Sequence, residues 1–573
     1  MFVYFPNRKT KNFYFAYATI FSMKTTDLID LLLEKRGITG VQDKEMFLHP
    51  SYERGMHDPM RMKNMERAVV RLYEAIEAKQ KIVIYADYDC DGIPGAVMMH
   101  DLLTKIGYTN FSIYIPDRQD EGYGLHMDAI KQFIIEKVDL LITIDLGTTA
   151  VAEVAEAQAN GIDVIITDHH LPHGDLPKAF ALLNPKQEGD TYPYPMLAGS
   201  GVIFKYIQGF LFKYREYYKI PNGFEKWLLD MAGLATLADM VPLTGENRVI
   251  AYYGLMVLRK SMRPGLRALF SHLKIDQRHL AEDDITFMIT PRLNAASRMD
   301  SPMRAFELLS ETDKTKGNLL ALHLSKINDE RKVLVAQIMK DAYKHLEKRD
   351  LGQVIVIGNP SWRIGVLGLV AGKLCEVYKR PVFVWGRESH DGSTTLKGSC
   401  RSDGSISVVE LMQAKESLFL HFGGHEASGG FSLEEAGIHF LEEHLTKSYL
   451  SLAKDTSESS VVYDAQLAVS DITSKMHTTL AELAPFGCEN RKPTFLFSGV
   501  IVERVRQFGK EKNHLELHVS DGKRSIKAIA FFTTADTFDV SITEGSCIDL
   551  VATVELSYFG GQSELRLRIV TIQ

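Results

Sequence analysis

Three short stretches of this 573-residue chain place acids and imidazoles where chemistry could occur. Asp87, Asp89 and Asp91 stand in Asp-Tyr-Asp-Cys-Asp-Gly, Asp145 stands in Ile-Asp-Leu-Gly, and Asp168, His169 and His170 are consecutive. Each stretch ends a β-branched apolar run: KIVIYA, VDLLITID and GIDVIITD. Helix-like segments such as IPGAVMMHDLLTKIG and TAVAEVAEAQAN separate the runs. Strands alternating with helices predict an α/β fold with a parallel, doubly wound sheet. Strands apolar along their whole length predict helices on both faces. In such sheets ligands bind at the carboxyl ends of the strands. Three strands would therefore bring carboxylates and imidazoles to one edge, a crowding of like charge that calls for a cation. Mixed Asp and His donors suit Mn²⁺, with Mg²⁺ the other candidate, and there is room for two ions.

The Asp-x-Asp-x-Asp-Gly run also fits the opening of a helix–loop–helix calcium site. Its twelfth position, however, is Met98, where a bidentate Glu is required, and a strand precedes it. Taken singly, an Asp at a strand end is a common cap or turn residue. Three clusters at three strand ends, one with a His-His pair, make the stronger case. Adjacent side chains cannot easily point the same way, so one of His169 and His170 is expected on metal and the other on a substrate oxygen.

The length suggests three or four domains. With 45% hydrophobic and 24% charged residues, a disordered, collagenous or disulfide-stapled chain is excluded. The net charge of −7 excludes a basic coat protein, although residues 256–349 hold 18 Lys+Arg against 12 Asp+Glu, which leaves −13 elsewhere. Such a basic helical connector could line a polyanion channel, or it could be a solvated helical face. Five scattered cysteines without a CxxC pair argue against zinc and disulfides and fit a reducing cytoplasm. No apolar run approaches the ~18 residues of a membrane span. The first ~24 residues lack signal-peptide form and read as an extension. The expected domains are the extension and accessory helices (1–70), a catalytic domain (71–255), the helical connector (256–350), a second α/β domain (351–453) and a small C-terminal β-barrel of the OB type (461–573). Within that barrel Phe508, Phe531 and Phe532 read as core residues.

DYDCDG at 87–92, Asp145 before Gly147, and Asp-His-His at 168–170 resemble the DHH phosphoesterase superfamily. Within it the chain resembles the RecJ family of single-strand-specific 5′→3′ DNA exonucleases. The likeness continues through PDRQDEGYGL (116–125), ADMVPLTGENR (238–248), PRLNAASRMDS (291–301), GSCRS (398–402), FGGHEASGG (422–430) and PFGCENRKPTF (485–495). It covers roughly residues 65–573. The resemblance implies two cations on Asp89, Asp91, Asp145, His169 and Asp239, with Asp87 in a lesser role. It also implies His170, Arg118, Arg248, Arg298, Ser399, Arg401, Gly424 and His425 on the substrate, capturing its 5′ end. Partners implied are single-stranded DNA, a single-strand-binding protein and a helicase. The implied role is recombination and repair in a bacterial cytoplasm, and a monomer is expected, since two domains of one chain would form the cleft. Two positions depart from the pattern: Tyr85 stands where many relatives have a His, and Ser297 where a Gly is expected.

Two other readings stay open. A phosphodiesterase of short oligonucleotides or small phosphates would share the metal ligands but would not need the barrel or the connector. A non-catalytic DNA-binding scaffold would have lost the ligands, and here all but the one at Tyr85 are present.

Overall fold

The run KIVIYA forms β1 (Ile82–Ala86). It is followed by β2 (Phe111–Tyr114), β3 (Leu140–Ile144), β4 (Asp163–Thr167) and β5 (Ala181–Leu183). All pair in parallel, in the order β2-β1-β3-β4-β5. The chain is described here from a computed structural model covering residues 25–118, 121–387, 394–452, 463–509, 511–559 and 562–573. The reading of the first residues as an extension lies outside these. Strand residues alternate between faces. Ile82, Ile84 and Ala86 enter a cluster shared with the helices Gly92–Ile106 and Gly199–Tyr214. Val83 and Tyr85 enter a second cluster with the helices Met127–Ile135 and Val151–Ala159. The sheet is thus doubly wound, as the apolar runs required. Each fully buried Val or Ile stabilises it by ~1.5–3 kcal/mol, which anchors the edge that carries the acids.

The connector is helical, ending in the 33-residue helix Lys314–Leu346. A second α/β layer follows, with strands β6 (Ile355–Gly358), β7 (Val382–Arg387), β8 (Thr395–Arg401), β9 (His421–His425) and β10 (Ser428–Glu434). Their order is β6-β7-β8-β10-β9, and only the β6–β7 pair is parallel. The glycine-rich segment FGGHEASGGF is therefore a hairpin, β9–β10, rather than a plain turn. At Gly424 (φ +142°) a Cβ would lie 2.4 Å from Ser428 O, so only glycine lets the two strands pair this closely.

The C-terminal strands are β11 (Ala465–Gln466), β12 (Phe495–Phe508), β13 (His514–Ser520), β14 (Ser525–Ala530), β15 (Cys547–Phe559) and β16 (Gln562–Ile572). Their order is β11-β12-β13-β14-β16-β15, and a β12–β15 pairing closes the barrel.

The described residues form two compact units. The larger lies within 50–460 and includes 485–491. The smaller holds the barrel, residues 463–484, and the N-terminal residues to His49. The accessory helices thus divide. Helix Thr25–Lys35 packs on helix Ser474–Ala481, and Lys35 Nζ donates to Tyr463 O at 3.1 Å. Helix Met65–Glu77 instead belongs to the catalytic sheet.

Candidate metal centre and anion cleft

The turn after β1 folds back on itself to form the first part of the site. Asp89 Oδ1 accepts from the amides of Asp91 and Gly92 at 2.7 and 3.2 Å. Asp91 Oδ2 and Oδ1 accept from the amides of Gly199 and Ser200, each at 2.7 Å. These amides open the helix Gly199–Tyr214, whose dipole favours a carboxylate there. Asp145, one residue past β3, takes a left-handed backbone (φ +65°), a strained state that clusters at functional sites. Its carboxylate lies against Gly199, where a Cβ would sit 2.5 Å from Asp145 Oδ1.

His169 Nε2 is central. It lies 3.2 Å from Asp145 Oδ1, 3.8 Å from Asp239 Oδ2 and 3.9 Å from Asp91 Oδ2. Burial, with the His170 charge, lowers the His169 pKa to about 3, so the ring is neutral and able to ligate. His170 differs. Its Nδ1 lies 2.8 Å from Asp168 Oδ1, and this bond and charge outweigh burial and raise its pKa. Asp168 in turn accepts from the amides of Thr148, His169 and His170. The His170 ring bond and charge, then the His169 charge and the Thr148 bond, hold it well below the usual carboxylate range despite burial.

Three sets of donor atoms each fall within 4.8 Å of one another: Asp87–Asp89–Asp145, Asp91–His169–Asp239 and Asp145–His169–His170. Asp87 Oδ1 and Asp145 Oδ1 are buried and, among the described residues, accept no hydrogen bond. Burial and neighbouring carboxylates raise the pKa of Asp87 and Asp145 well above the ordinary range, and that of Asp91 to about 7. Orphaned carboxylate oxygens beside a neutral imidazole form a donor set that fits Mn²⁺ or Mg²⁺. Asp87 stands within this set, although the motif alone pointed to a lesser role for it. A stability change follows. The ordinary Asp pKa is 3.8 and that of folded Asp91 is about 7, so between these values the metal-free folded state binds more protons than the unfolded one. The metal-free protein therefore loses stability as pH rises through that window. Thermal melts in EDTA should show Tm falling from pH 5 to pH 7.5, and Mn²⁺ affinity by calorimetry should rise over the same range.

The arginines gather beside this centre. Arg118 lies 4.7 Å above the Tyr88 ring, Arg298 Nη1 donates to Gly365 O at 3.0 Å, and Arg401 Nη1 donates to Ser399 Oγ at 3.1 Å. Among the described residues none of the three forms an ion pair. Burial, then the charges of Arg118, Arg331 and Arg401, holds Arg298 well below its ordinary pKa. Half-buried cations that repel one another and form no ion pair among the described residues suit an incoming phosphate. From the second α/β layer, the His425 ring stacks on His170 at 5.7 Å and 14°.

Not every expected residue reaches the cleft. Arg248 is 2% exposed and donates to Pro485 O, so it holds the 485–491 segment in place. Gly424 serves the hairpin. Tyr85 stacks on Tyr114 at 5.0 Å within the apolar cluster and donates to Gly124 O, so it fills a core position and leaves no empty ligand place. Ser297 is buried and its hydroxyl bonds Asn294 O within the helix. Asp168, as holder of His170, and Tyr123, whose hydroxyl lies 3.1 Å from His170 Nδ1, were not singled out for these roles in the sequence. Tyr123 does stand in the quoted PDRQDEGYGL block.

In the barrel, the three phenylalanines read as core are not core. Phe532 is 82% exposed with φ +56°, and Phe508 and Phe531 are half-buried. They surround His514, with ring centroids 4.8–5.4 Å from it, and Arg568 lies 4.1 Å above Phe531. The aromatic runs that suggested a core therefore cap the barrel wall.

The chain matches the DHH family, N-terminal domain, over residues 81–236, the DHHA1 domain over 351–448 and the RecJ OB domain over 463–571. It is 34% identical over 547 residues to the single-stranded-DNA-specific exonuclease RecJ of Bacillus subtilis, covering 95% of this chain and 67% of that protein. It is 31% identical to the Haemophilus influenzae protein of the same name, covering 96% and 97%. The chain belongs to the RecJ family. A crystal structure of RecJ with Mn²⁺ from Thermus thermophilus superposes with TM-score 0.79 at 25% identity, covering 96% of this chain and 76% of that one. A Mg²⁺ complex from the same organism gives TM-score 0.73 at 24% identity. RecJ relatives have thus been crystallised with both candidate ions. Among the described residues no helix is long and apolar enough to cross a membrane.

Proposed function

We propose that this RecJ family member is a single-strand-specific 5′→3′ DNA exonuclease that hydrolyses phosphodiester bonds and releases 5′-mononucleotides. One observation carries the reading: a donor set fitted to divalent ions and a cluster of arginines that form no ion pair among the described residues share one cleft of one compact unit. Bound divalent cations would orient a water, lower its pKa and offset charge developing on the phosphate. The chain's own residues do the rest. Asp87, Asp89, Asp91, Asp145, His169 and Asp239 form the ligand set. His170, its Nδ1–H held by Asp168, presents Nε2 to the scissile phosphate, and His425 stacks behind it. Arg118, Arg298 and Arg401, with Ser399, take the 5′-terminal phosphate and so set polarity. Selectivity for a single strand would follow from a cleft too narrow for a duplex. The domain division proposed is 71–255, 256–350, 351–453 and 461–573, after the accessory residues 1–70. It is supported by the matched segments at 81–236, 351–448 and 463–571.

The barrel's aromatic surface fits base stacking, which contributes about 1–3 kcal/mol per base. Phe532→Ala should weaken binding of a 30-nucleotide strand about tenfold in fluorescence anisotropy, while a four-nucleotide strand is hydrolysed at the wild-type rate. The proposed setting is a bacterial cytoplasm, as a monomer, in recombination and repair. A helicase would supply unwound ends and a single-strand-binding protein would coat them. The test compares a long 5′-phosphorylated single strand, the matched duplex and a dinucleotide. Efficient hydrolysis of the long strand alone supports the reading, and hydrolysis of the dinucleotide alone would replace it with a small-substrate phosphodiesterase.

A further inference from the structure

Lys186 stands two residues past the buried Asn184, in the loop after β5. Asn184 Nδ2 donates to His170 O at 2.8 Å and to Thr148 Oγ1 at 2.9 Å, and Asn184 Oδ1 accepts the Lys186 amide at 2.9 Å. The loop is thus fastened to the main chain of the His-His pair, and Lys186 has little freedom to leave it. Its ammonium is half-buried, and the charges it meets are those of Asp239, Asp168 and Asp145 on three different elements. His169 and His425 feel its charge as well. A lysine placed to neutralise these acids would pair with one of them. Among the described residues, Lys186 lies within 4.0 Å of no carboxylate. Arg118 acts on Asp87 and Lys186 on Asp239, two carboxylates of the same centre. An anion bound at the centre would find this ammonium on the loop fastened to His170.

We propose that Lys186 is a catalytic residue of this chain that contacts a non-bridging oxygen of the scissile phosphate. The inference rests on the nuclease reading above and adds a contact to it. Binding is measured first, without metal. In EDTA, Lys186→Met should weaken binding of a 5′-phosphorylated trinucleotide about fivefold, the loss of one phosphate contact, and Lys186→Arg should bind as the wild type does. With Mn²⁺, single-turnover hydrolysis by Lys186→Met should fall about 100-fold, as when one preorganised donor to the reacting phosphate is removed. Its Mn²⁺ affinity by calorimetry should stay within twofold of wild type. A phosphorothioate at the scissile position gives a readout that a structural role would not move. One diastereomer should slow the wild type and leave Lys186→Met unaffected. Wild-type binding and turnover in Lys186→Met would overturn the proposal. So would a tenfold change in Mn²⁺ affinity, which would make the lysine a tuner of the ions. A wild type that cleaves no strand would contradict the nuclease reading itself, and the lysine proposal with it.

Discussion

Asp145→Asn lowers strand hydrolysis by about 10³-fold or more and, in EDTA, raises the melting temperature by a few degrees. Both effects come from one carboxylate. Asp145 is buried, its Oδ1 accepts no hydrogen bond among the described residues, and the charges of Asp91, Asp89, Asp87 and Asp239 all act on it. Without a cation the repulsion of the other carboxylates outweighs its contacts with His169 and His170, so removing the charge relieves the fold. With a cation it is a ligand shared by two of the three donor sets, so removing the charge disables both. Asparagine is the informative replacement because it tolerates the left-handed backbone at φ +65°, whereas alanine would add strain of its own. A differential melt with and without Mn²⁺ checks both halves. The wild type should gain stability on adding metal, and Asp145→Asn should gain little. A variant that melts lower in EDTA and keeps its Mn²⁺ response would show that Asp145 supports packing instead.

Arg298→Ala weakens binding of a 5′-phosphorylated single strand by about 100-fold and abolishes the preference for 5′-phosphate over 5′-hydroxyl. Two charge-assisted hydrogen bonds of about 1.5 kcal/mol each account for that loss. Among the described residues Arg298 pairs with no carboxylate, and Arg118, Arg331 and Arg401 all repel it. The cluster is therefore poised for an anion. Lysine should restore only part of the effect, since it cannot grip phosphate with two parallel donors. The check is anisotropy in EDTA with paired 5′-phosphate and 5′-hydroxyl strands. Equal losses for the two strands would move Arg298 from end recognition to general strand binding.

The acids were legible in the sequence because strand ends in a parallel sheet announce themselves: an apolar run stops and an Asp follows. That single rule located Asp87, Asp145 and His169 on one edge. It does not rank them, because rank depends on which oxygens are left without hydrogen bonds, and Asp87 Oδ1 is one of these among the described residues. It also missed β5, whose three residues are too short to show a period, and with it Asn184 and Lys186. Phe532 was misread for another reason. An aromatic beside an apolar strand usually turns inward, but a left-handed backbone at that position turns this one out, and backbone sign cannot be read from a phenylalanine. Arg248 stands in a family block, yet its guanidinium serves the main chain at Pro485. Motif membership says that a residue matters without saying to what. The division of the N-terminal helices between two units was hidden for a similar reason, because each helix is amphipathic and only the packing chooses its partner.

The central claim is that one cleft binds divalent ions and a strand's 5′ end together. The most direct test is a time course on one single-stranded oligonucleotide labelled at the 5′ end and on the same strand labelled at the 3′ end, each with Mn²⁺, Mg²⁺ or EDTA. The expected result is that the 5′ label leaves at once as a mononucleotide, the 3′-labelled strand shortens step by step, and EDTA stops both. Loss of the 3′ label first, or hydrolysis that persists in EDTA, would contradict it.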